Sequence, residues 1–480
     1  MARTATKRPK TKKKTTRAPS RTTAKRFPAK QGPKTILTFR SAMSFLNSKT
    51  NYENMVRVGY NHTNFNLSRM LRILSALGNP HKGLKCVHIA GTKGKGSTCH
   101  MIAAMLQKAG YRTGLYTSPH FLSIRERIVI DAQMISESAF ARLFDRIAPV
   151  AKRLERQGPT FFELMTAAAF LHFVACETDI VVLETGLGGR LDSTNVVRPE
   201  ACGITNISYD HVAQLGNTLE RIAEEKAGIF KPGIPVISSP QPQSVKQVLK
   251  RVAAKVGCQI SFVGDDMEFS FRFESSRATG PHTRVCMRTA TSRFDHLQVP
   301  LLGEHQAYNC GVALGIIDIL RQRGIPVAVQ DAIDGLAKVR AQGRLEVVRD
   351  YPKTVLDAGH NAASIRALMR AIGQNIAYDS MVVVFACSLD KDIDGMLKEL
   401  QLGADKVIFT STGTPRSADP HDLIVRFQEC GHKMAQEART LREAYRIARN
   451  CVSREDLICI TGSVHLLGLA KRLLASGKLD

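Results

Sequence analysis

The chain of 480 residues lacks any stretch approaching the ~18 consecutive apolar residues that a membrane helix requires, and its N-terminus lacks an apolar signal core. The expectation is a cytoplasmic protein that makes no membrane contact. Pairs of the form C-x-x-C are also missing. The eleven cysteines are odd in number and scattered from Cys86 to Cys459, mostly in apolar segments such as those around Cys202 and Cys387. Buried reduced thiols fit that pattern better than disulfides or a thiolate metal site. Carboxylates are missing before Glu53, whereas residues 1–36 hold 13 Lys and Arg. Half of the net charge of +26 therefore belongs to a tail rich in Lys, Arg, Thr, Pro and Ala. Such a segment has little to bury and is expected to be disordered. It could contact nucleic acid through counterion release or act as a transit peptide, although it lacks apolar residues at helical spacing. The remaining chain lacks the interleaved basic and aromatic residues of a nucleic-acid groove. No internal repeat is visible.

What is present is ordinary globular composition, 44% hydrophobic and 23% charged, with length for two or three domains. Residues 37–85 read as helical; Leu67, Met70, Leu71, Ile73 and Leu74 share one helical face that ends at Gly78. Short buried strands then alternate with helices: around Val87–Ala90, then 180–184, 202–207 and 235–239. This rhythm predicts an α/β fold with a mostly parallel sheet. Residues 260–300 break it, because Phe269, Phe271 and Phe273 alternate at period two, as in an antiparallel edge meander. Helices are expected from Glu304 to about Val339. A second series of strands follows at 354–359, 381–387, 406–410 and 457–462. The expected organisation is a tail over 1–36, a nucleotide-binding domain over 37–340 and a smaller Rossmann-like α/β domain over 341–480, hinged near Gly343.

The strongest local signal is Gly91-Thr-Lys-Gly-Lys-Gly-Ser-Thr98 between a strand and a helix. Glycines there let backbone N–H groups face phosphate oxygens, the helix N-terminus adds its dipole, and a lysine neutralises charge. The full Walker spacing is absent, since Ile89 occupies the position of its first glycine. A tight turn with exposed lysines is the competing interpretation. Three further strand ends carry polar residues: Tyr116-Thr-Ser-Pro-His120, Glu184 and Asp210-His211. Strand C-termini are where open α/β sheets bind ligands. A hydroxyl, a carboxylate and an imidazole there could hold an oxygen-loving divalent cation, Mg²⁺ or Mn²⁺, beside phosphates. Each alone could equally be a capping serine, a solvated glutamate or a satisfied histidine.

The segments GTKGKGST (91–98), YTSPH (116–120), TFFELMTAAAF (160–170), LETGLGGRLDSTN (183–195), ITNISYDHVAQLGNTLERIAEEKAGIFKPG (204–233), GEHQAYN (303–309), GRLE (343–346) and LDAGHN (356–361) occur in one order. In that order the chain resembles folylpolyglutamate synthase/dihydrofolate synthase of the Mur ligase superfamily, over about residues 50–470. The resemblance implies a P-loop-containing Mur-ligase central domain, a C-terminal glutamate-ligase domain, and ATP-dependent addition of glutamate to dihydropteroate and folates through an acyl-phosphate. It implies ATP contacts from Lys93, Gly94, Lys95, Gly96, Ser97, Thr98, Asn309, Arg344 and Asp357, with Lys95 catalytic. Ser118, Glu184 and His211 would hold Mg²⁺, with a monovalent cation as a further candidate. Lys226 matches the lysine that is carbamylated in the family; the alternative is an ordinary charge beside Glu224 and Glu225. His360 and Ser463 match positions near the incoming glutamate, and His360 counts with Lys95, Lys226 and His211 among the catalytic candidates. Thr160, Phe161, Phe162 and Glu163, with Leu191, Asp192 and Ser193, match the pterin segment. There the aromatics could stack on a flat ring and Glu163 could accept its N–H groups. The competing interpretation is a helix start, with the aromatics packed inward and Glu163 in the first turn. Around Phe385–Asp392 the chain departs from the family, lacking its glycine–methionine pair but keeping Asp390-Lys-Asp392. A monomer acting on small molecules is expected. The rivals are a synthase that only extends tetrahydrofolate, a cell-wall ligase (which usually needs a further N-terminal domain) and a nucleic-acid-stimulated P-loop ATPase.

Overall fold

The computed structural model describes residues 38–55, 64–276, 280–339 and 342–477. The expected disordered tail at 1–36 and the expected domain boundary at 340/341 lie outside the described residues.

Three sheets organise the described chain. The first is built from β1 (Cys86–Ala90), β2 (Thr113–Tyr116), β3 (Ile128–Ile130), β4 (Gln133–Met134), β5 (Ile180–Glu184), β6 (Ala201–Ile204), β7 (Val236–Ser238) and β8 (Ile260–Phe262). Its order is β4-β3-β2-β5-β1-β6-β7-β8, parallel from β2 to β8 and antiparallel at β3 and β4. Strands β1 and β5 are buried along their whole length, as a parallel sheet covered on both faces requires. The two-residue alternation of a strand sends Val87 and Ile89 into one core, with Met101, Met105, Val312 and Ile316, and Cys86 into the other, with Phe161, Phe170 and Phe173. After β1 the chain first builds β2 to β5 on one side and later β6 to β8 on the other. The crevice at the carboxyl end of β1 is therefore the topological switch point, where ligands of such sheets bind.

The stretch expected as one edge meander divides. Ile260–Phe262 pairs parallel with β7, and a turn through Gly264 (φ +87°) ends that strand. Then β9 (Glu268–Ser276), β10 (Gly280–Arg288) and β11 (Arg293–Val299) form an antiparallel sheet of their own. Phe269 and Phe271 alternate inward, as their period predicts, and pack on Tyr308.

The third sheet has β12 (Glu346–Asp350), β13 (Lys353–Leu356), β14 (Met381–Phe385), β15 (Lys406–Phe409), β16 (Met434–Glu437) and β17 (Leu457–Thr461) in the order β12-β13-β17-β14-β15-β16. All neighbours are parallel except β12 with β13. The sequence reading missed β3, β4, β12 and β16. Strands β4, β12 and β16 are sheet edges with too few buried residues to carry a periodic signal, and β3, between β4 and β2, is only three residues long. In the helix Leu67–Ala76, Met70, Ile73 and Leu74 are buried, but Leu71 is 44% exposed and does not belong to the apolar face.

Candidate active site

The loop after β1 is held from behind. Thr92 and Lys93 donate their backbone N–H groups to the Asn206 carbonyl at 2.8 and 3.3 Å, and Thr92 Oγ1 bonds Ser208. Gly94 turns the chain with φ +87° into the helix Lys95–Lys108, and a Cβ there would run into the buried Asn309 side chain. Only glycine meets both conditions. The first intrahelical bond runs from Thr98 N–H to the Gly94 carbonyl at 2.9 Å, so Lys95, Gly96 and Ser97 keep N–H groups without helical acceptors. The amides of Lys93 and Thr98 are already occupied, which narrows the expected phosphate cradle to its centre. Thr98 instead meets Asn309 from its hydroxyl.

Glu184, at the end of β5, is 4% exposed and faces this loop. Its Oε2 accepts the Ser118 backbone N–H at 3.0 Å, and its Oε1 lies 3.9 Å from Lys95 Nζ. Burial raises its pKa against the pull of Lys95 and the Ser118 amide. Ser97 Oγ is buried with no hydrogen-bond partner. An unpartnered hydroxyl beside an under-satisfied carboxylate fits a hard cation with oxygen ligands. Among the described residues no three His, Cys, Asp or Glu side chains converge into a metal cage, so such a cation would need hydroxyl, phosphate or water oxygens as well. His211 lies on the same cavity wall with φ +50°. Its side chain is 42% exposed; enclosure of the rest by the cavity lowers its pKa, opposed by Asp210 and reinforced by Lys391, which favours the neutral ring and its lone pair.

Lys226 is not an ordinary surface charge. It is 4% exposed, whereas Glu224 lies on the open side of the helix Leu219–Ala227. Its Nζ donates to the Gly91 carbonyl at 2.7 Å. Burial and the nearby Lys95 lower its pKa to about 7, so a neutral amine is accessible near neutral pH.

The third sheet faces the loop from the opposite side. Asp357, at the end of β13, accepts the Leu345 and Gly359 N–H groups at 2.9 and 2.8 Å, and burial raises its pKa against Arg344. His360 Nδ1 contacts the Ala358 carbonyl at 2.8 Å, and its Nε2 lies 3.5 Å from Lys93 Nζ. Lys93 first, then burial, lowers its pKa to about 4. Ser463 is buried and caps the helix Val464–Ala475 by accepting the His465 N–H. Asp210, between the two sides, was passed over by sequence reasoning in favour of its neighbour His211. Burial pushes its pKa up, but Lys93 and Lys391 outweigh this and hold it well below the usual range. Lys391, Arg69 and Arg127 were also missed. The only sequence signal for Lys391 was its place in Asp390-Lys-Asp392.

At the far end, Thr160 and Glu163 form a capping box at the start of the helix Phe161–Ala175. Glu163 Oε2 accepts the Thr160 N–H at 2.8 Å and its hydroxyl at 3.0 Å, while Arg69 Nε sits 2.8 Å from both carboxylate oxygens. The carboxylate proposed to accept pterin N–H groups is thus engaged inside the protein. Phe161, 3% exposed, lies in the core beneath the Arg127 guanidinium. Both belong to the helix-start alternative. Phe162 is the more open of the two aromatics on the cavity wall; it packs on Tyr116 and over Gly186, where a Cβ would collide with its ring. Leu191 and Asp192 are buried, and Asp192 accepts N–H groups from Thr194 and Leu187 at 3.0 and 2.9 Å; Ser193 completes that wall.

One cavity of about 810 Å³ joins these parts. Of the proposed site residues, Thr98 alone does not line it.

Comparison with known proteins gives a consistent picture. Residues 89–317 match the Mur ligase middle domain and residues 343–464 the Mur ligase glutamate ligase domain. A dihydrofolate synthase/folylpolyglutamate synthase of Bacillus subtilis is 33% identical over 413 residues, which cover 85% of this chain and 94% of that protein. The ADP complex of Mycobacterium tuberculosis folylpolyglutamate synthase superposes with a TM-score of 0.81 at 30% identity, over 90% of this chain and 99% of that one. E. coli FolC in complex with DHPP and ADP superposes with a TM-score of 0.80 at 26% identity, over 93% and 100%.

Proposed function

The chain belongs to the Mur ligase family, on its folylpolyglutamate synthase/dihydrofolate synthase branch, and from that premise we propose that it joins L-glutamate both to dihydropteroate and to tetrahydrofolate polyglutamates. It is an ATP-dependent, ADP-forming amide ligase. The observation that carries the reading is the single cavity in which a phosphate loop, an apolar wall around Phe162 and polar groups from a second sheet face one another.

A carboxylate resists attack by an amine because it is anionic and has no leaving group. Activation by the γ-phosphoryl group of ATP supplies the leaving group. The free N–H groups of Lys95, Gly96 and Ser97 and the Lys95 ammonium cradle the phosphates and stabilise charge on the transferring group. Arg344, Asp357 and Asn309 bind the rest of the nucleotide. Phe162, Leu191 and Ser193 hold the pterin face, on a wall that Thr160, Glu163 and Asp192 stiffen. His360 and the Ser463 turn receive glutamate, whose amino group displaces phosphate from the acyl-phosphate. Ser118, Glu184 and His211, with Ser97 Oγ as a further donor, would hold Mg²⁺, which would neutralise phosphate charge there. Lys226, with its pKa near 7, can add CO₂ as a neutral amine, turning a buried cation into an anion. A mass increase of one CO₂ on the peptide containing Lys226 tests this.

We also take residues 37–340 and 341–480 as two domains and the protein as a cytoplasmic monomer. Among the described residues no helix is long and apolar enough to cross a membrane. The deciding experiment measures ATP- and Mg²⁺-dependent phosphate release with glutamate, offering dihydropteroate and tetrahydrofolate separately. Turnover of both is expected. Turnover of tetrahydrofolate alone would leave a monofunctional folylpolyglutamate synthase, and stimulation by nucleic acid alone would overturn the ligase reading.

A further inference from the structure

Asp210 follows β6, is only 7% exposed at its side chain, and gathers donors from both sides of the cavity. From the loop after β1, Lys93 Nζ lies 3.3 Å from Oδ2. From the loop after β14, Lys391 Nζ lies 3.1 Å from Oδ1. From the turn after β13, Asn361 Nδ2 donates to Oδ2 at 3.1 Å, and His360 Nε2 stands 3.6 Å away. Two ammonium groups thus share one carboxylate, and without it they would face each other poorly screened.

Both anchors are tied by hydrogen bonds to their own side of the cavity. The Asn206–Asp210 segment carries the phosphate loop on the Asn206 carbonyl and the Thr92–Ser208 bonds. On the other side, Asn361 caps the helix Ala362–Asn375 through Oδ1 while its Nδ2 reaches Asp210. The neighbour of Lys391, Asp390, pairs with Arg416, which also donates to the Glu53 carbonyl. Moving Asp210 would therefore move two loops of the third sheet relative to the phosphate loop.

We propose that Asp210 is a positioning residue that couples the phosphate loop to the third sheet, so that the acyl-phosphate forms only where the amine is already held against it. The proposal rests on the ligase reading. Water competes with the glutamate amine for the acyl-phosphate carbon. Amine attack forms the amide and releases phosphate; attack by water returns the free carboxylate and phosphate, with ATP consumed for no product. Loosening the Asp210 junction shifts the balance towards water.

The test uses the full chain and its Asp210→Asn, Lys391→Met and double variants, with ADP and amide product counted in the same reaction. Wild type should release about one ADP per amide. Asp210→Asn should release several-fold more ADP per amide while its turnover to amide falls about 10- to 100-fold, and the double variant should be little worse than either single one. Asp210→Glu should recover part of the ratio. A variant that only folds poorly would lose ADP and amide together. An unchanged ratio in Asp210→Asn, or additive losses, overturns the coupling while leaving the ligase intact. A second readout needs no catalysis. Amide hydrogen exchange in the absence of substrates should speed up at both 91–98 and 388–393 in Asp210→Asn, and unchanged exchange at either overturns the proposal. A wild type that makes no amide from either substrate overturns the ligase reading instead, and the exchange result still decides the coupling.

Discussion

The two ends of the cavity treat buried polar groups in opposite ways. Around Thr160 the buried carboxylates are matched inside the protein: Glu163 with Arg69 and Thr160, Asp192 with Thr194 and Leu187. Around the phosphate loop, matching is incomplete. Ser97 Oγ has no partner, Lys95 stands 3.9 Å from Glu184, and Lys226 is driven towards neutrality. Unmatched buried groups cost free energy in the unliganded protein, and they persist where a ligand is to complete them. The difference separates a prebuilt wall from a reacting centre, and substitutions at the two ends should fail in different ways.

The largest effect is expected at the reacting centre. Lys95→Ala should lower turnover by at least about 10³-fold, because the transferring phosphoryl group loses a cation aimed at it. Its thermal midpoint should fall less than when a close buried pair is broken, since Lys95 Nζ stands 3.9 Å from Glu184, which keeps the Ser118 N–H, and its removal relieves repulsion on Lys226. A large drop in the midpoint would break the contrast. The wall should behave conversely. Glu163→Ala strands Arg69, which is 9% exposed at its side chain, and removing one partner of such a buried pair costs about 3 kcal/mol. Calorimetry should show a midpoint lower by several degrees, and turnover per folded molecule should fall far less than in Lys95→Ala.

Lys226→Met sharpens the comparison because it separates function from stability at one residue. The unfolded chain holds this proton up to about pH 10, whereas the folded one releases it near pH 7. Between those values the unfolded state binds more protons, so stability rises with pH; below about 7 the full penalty of the buried cation remains. Methionine removes that penalty. In CO₂-free buffer the variant should melt no lower than wild type at about pH 6.5 and lose any advantage by about pH 9.5, while its ligase turnover is lost. A lower midpoint at the acid end would show that the amine contributes to the fold.

Much of this was legible in the sequence because apolar runs and glycine-rich turns are local signals. Strands β1, β5, β14 and β17, the glycine-rich turn after β1 and the positions of Ser118 and Glu184 at strand ends could all be read directly, whereas His211 lies seven residues past the end of β6, before a short helix. What could not be read depends on partners distant along the chain. For Glu163 the residues alone leave pterin contact and a helix start open and the resemblance favours the pterin, while the side chain that holds it, Arg69, is 94 positions away. Sequence alone leaves Lys226 undecided between the lysine the resemblance implies and an ordinary charge beside Glu224 and Glu225; the fold buries it against Gly91. Asp210 takes its meaning from residues as far off as Lys391, and no spacing rule reaches that distance.

The smallest effect is expected at Phe162, the more open of the two adjacent aromatics on that cavity wall. It contributes ring surface and no charge, so Phe162→Ala should weaken binding of the pterin substrate about 10-fold, in line with the stacking of a single aromatic. That loss should appear in KM with turnover at saturation nearly intact, because a flat ring is held equally in the ground and transition states. The neighbouring Phe161→Ala provides the control. Its ring is core, so it should cost stability without changing KM. If instead Phe162→Ala lowers turnover as much as it raises KM, the wall takes part in placing the carboxylate, and the division between the two ends is less sharp than the hydrogen bonds imply.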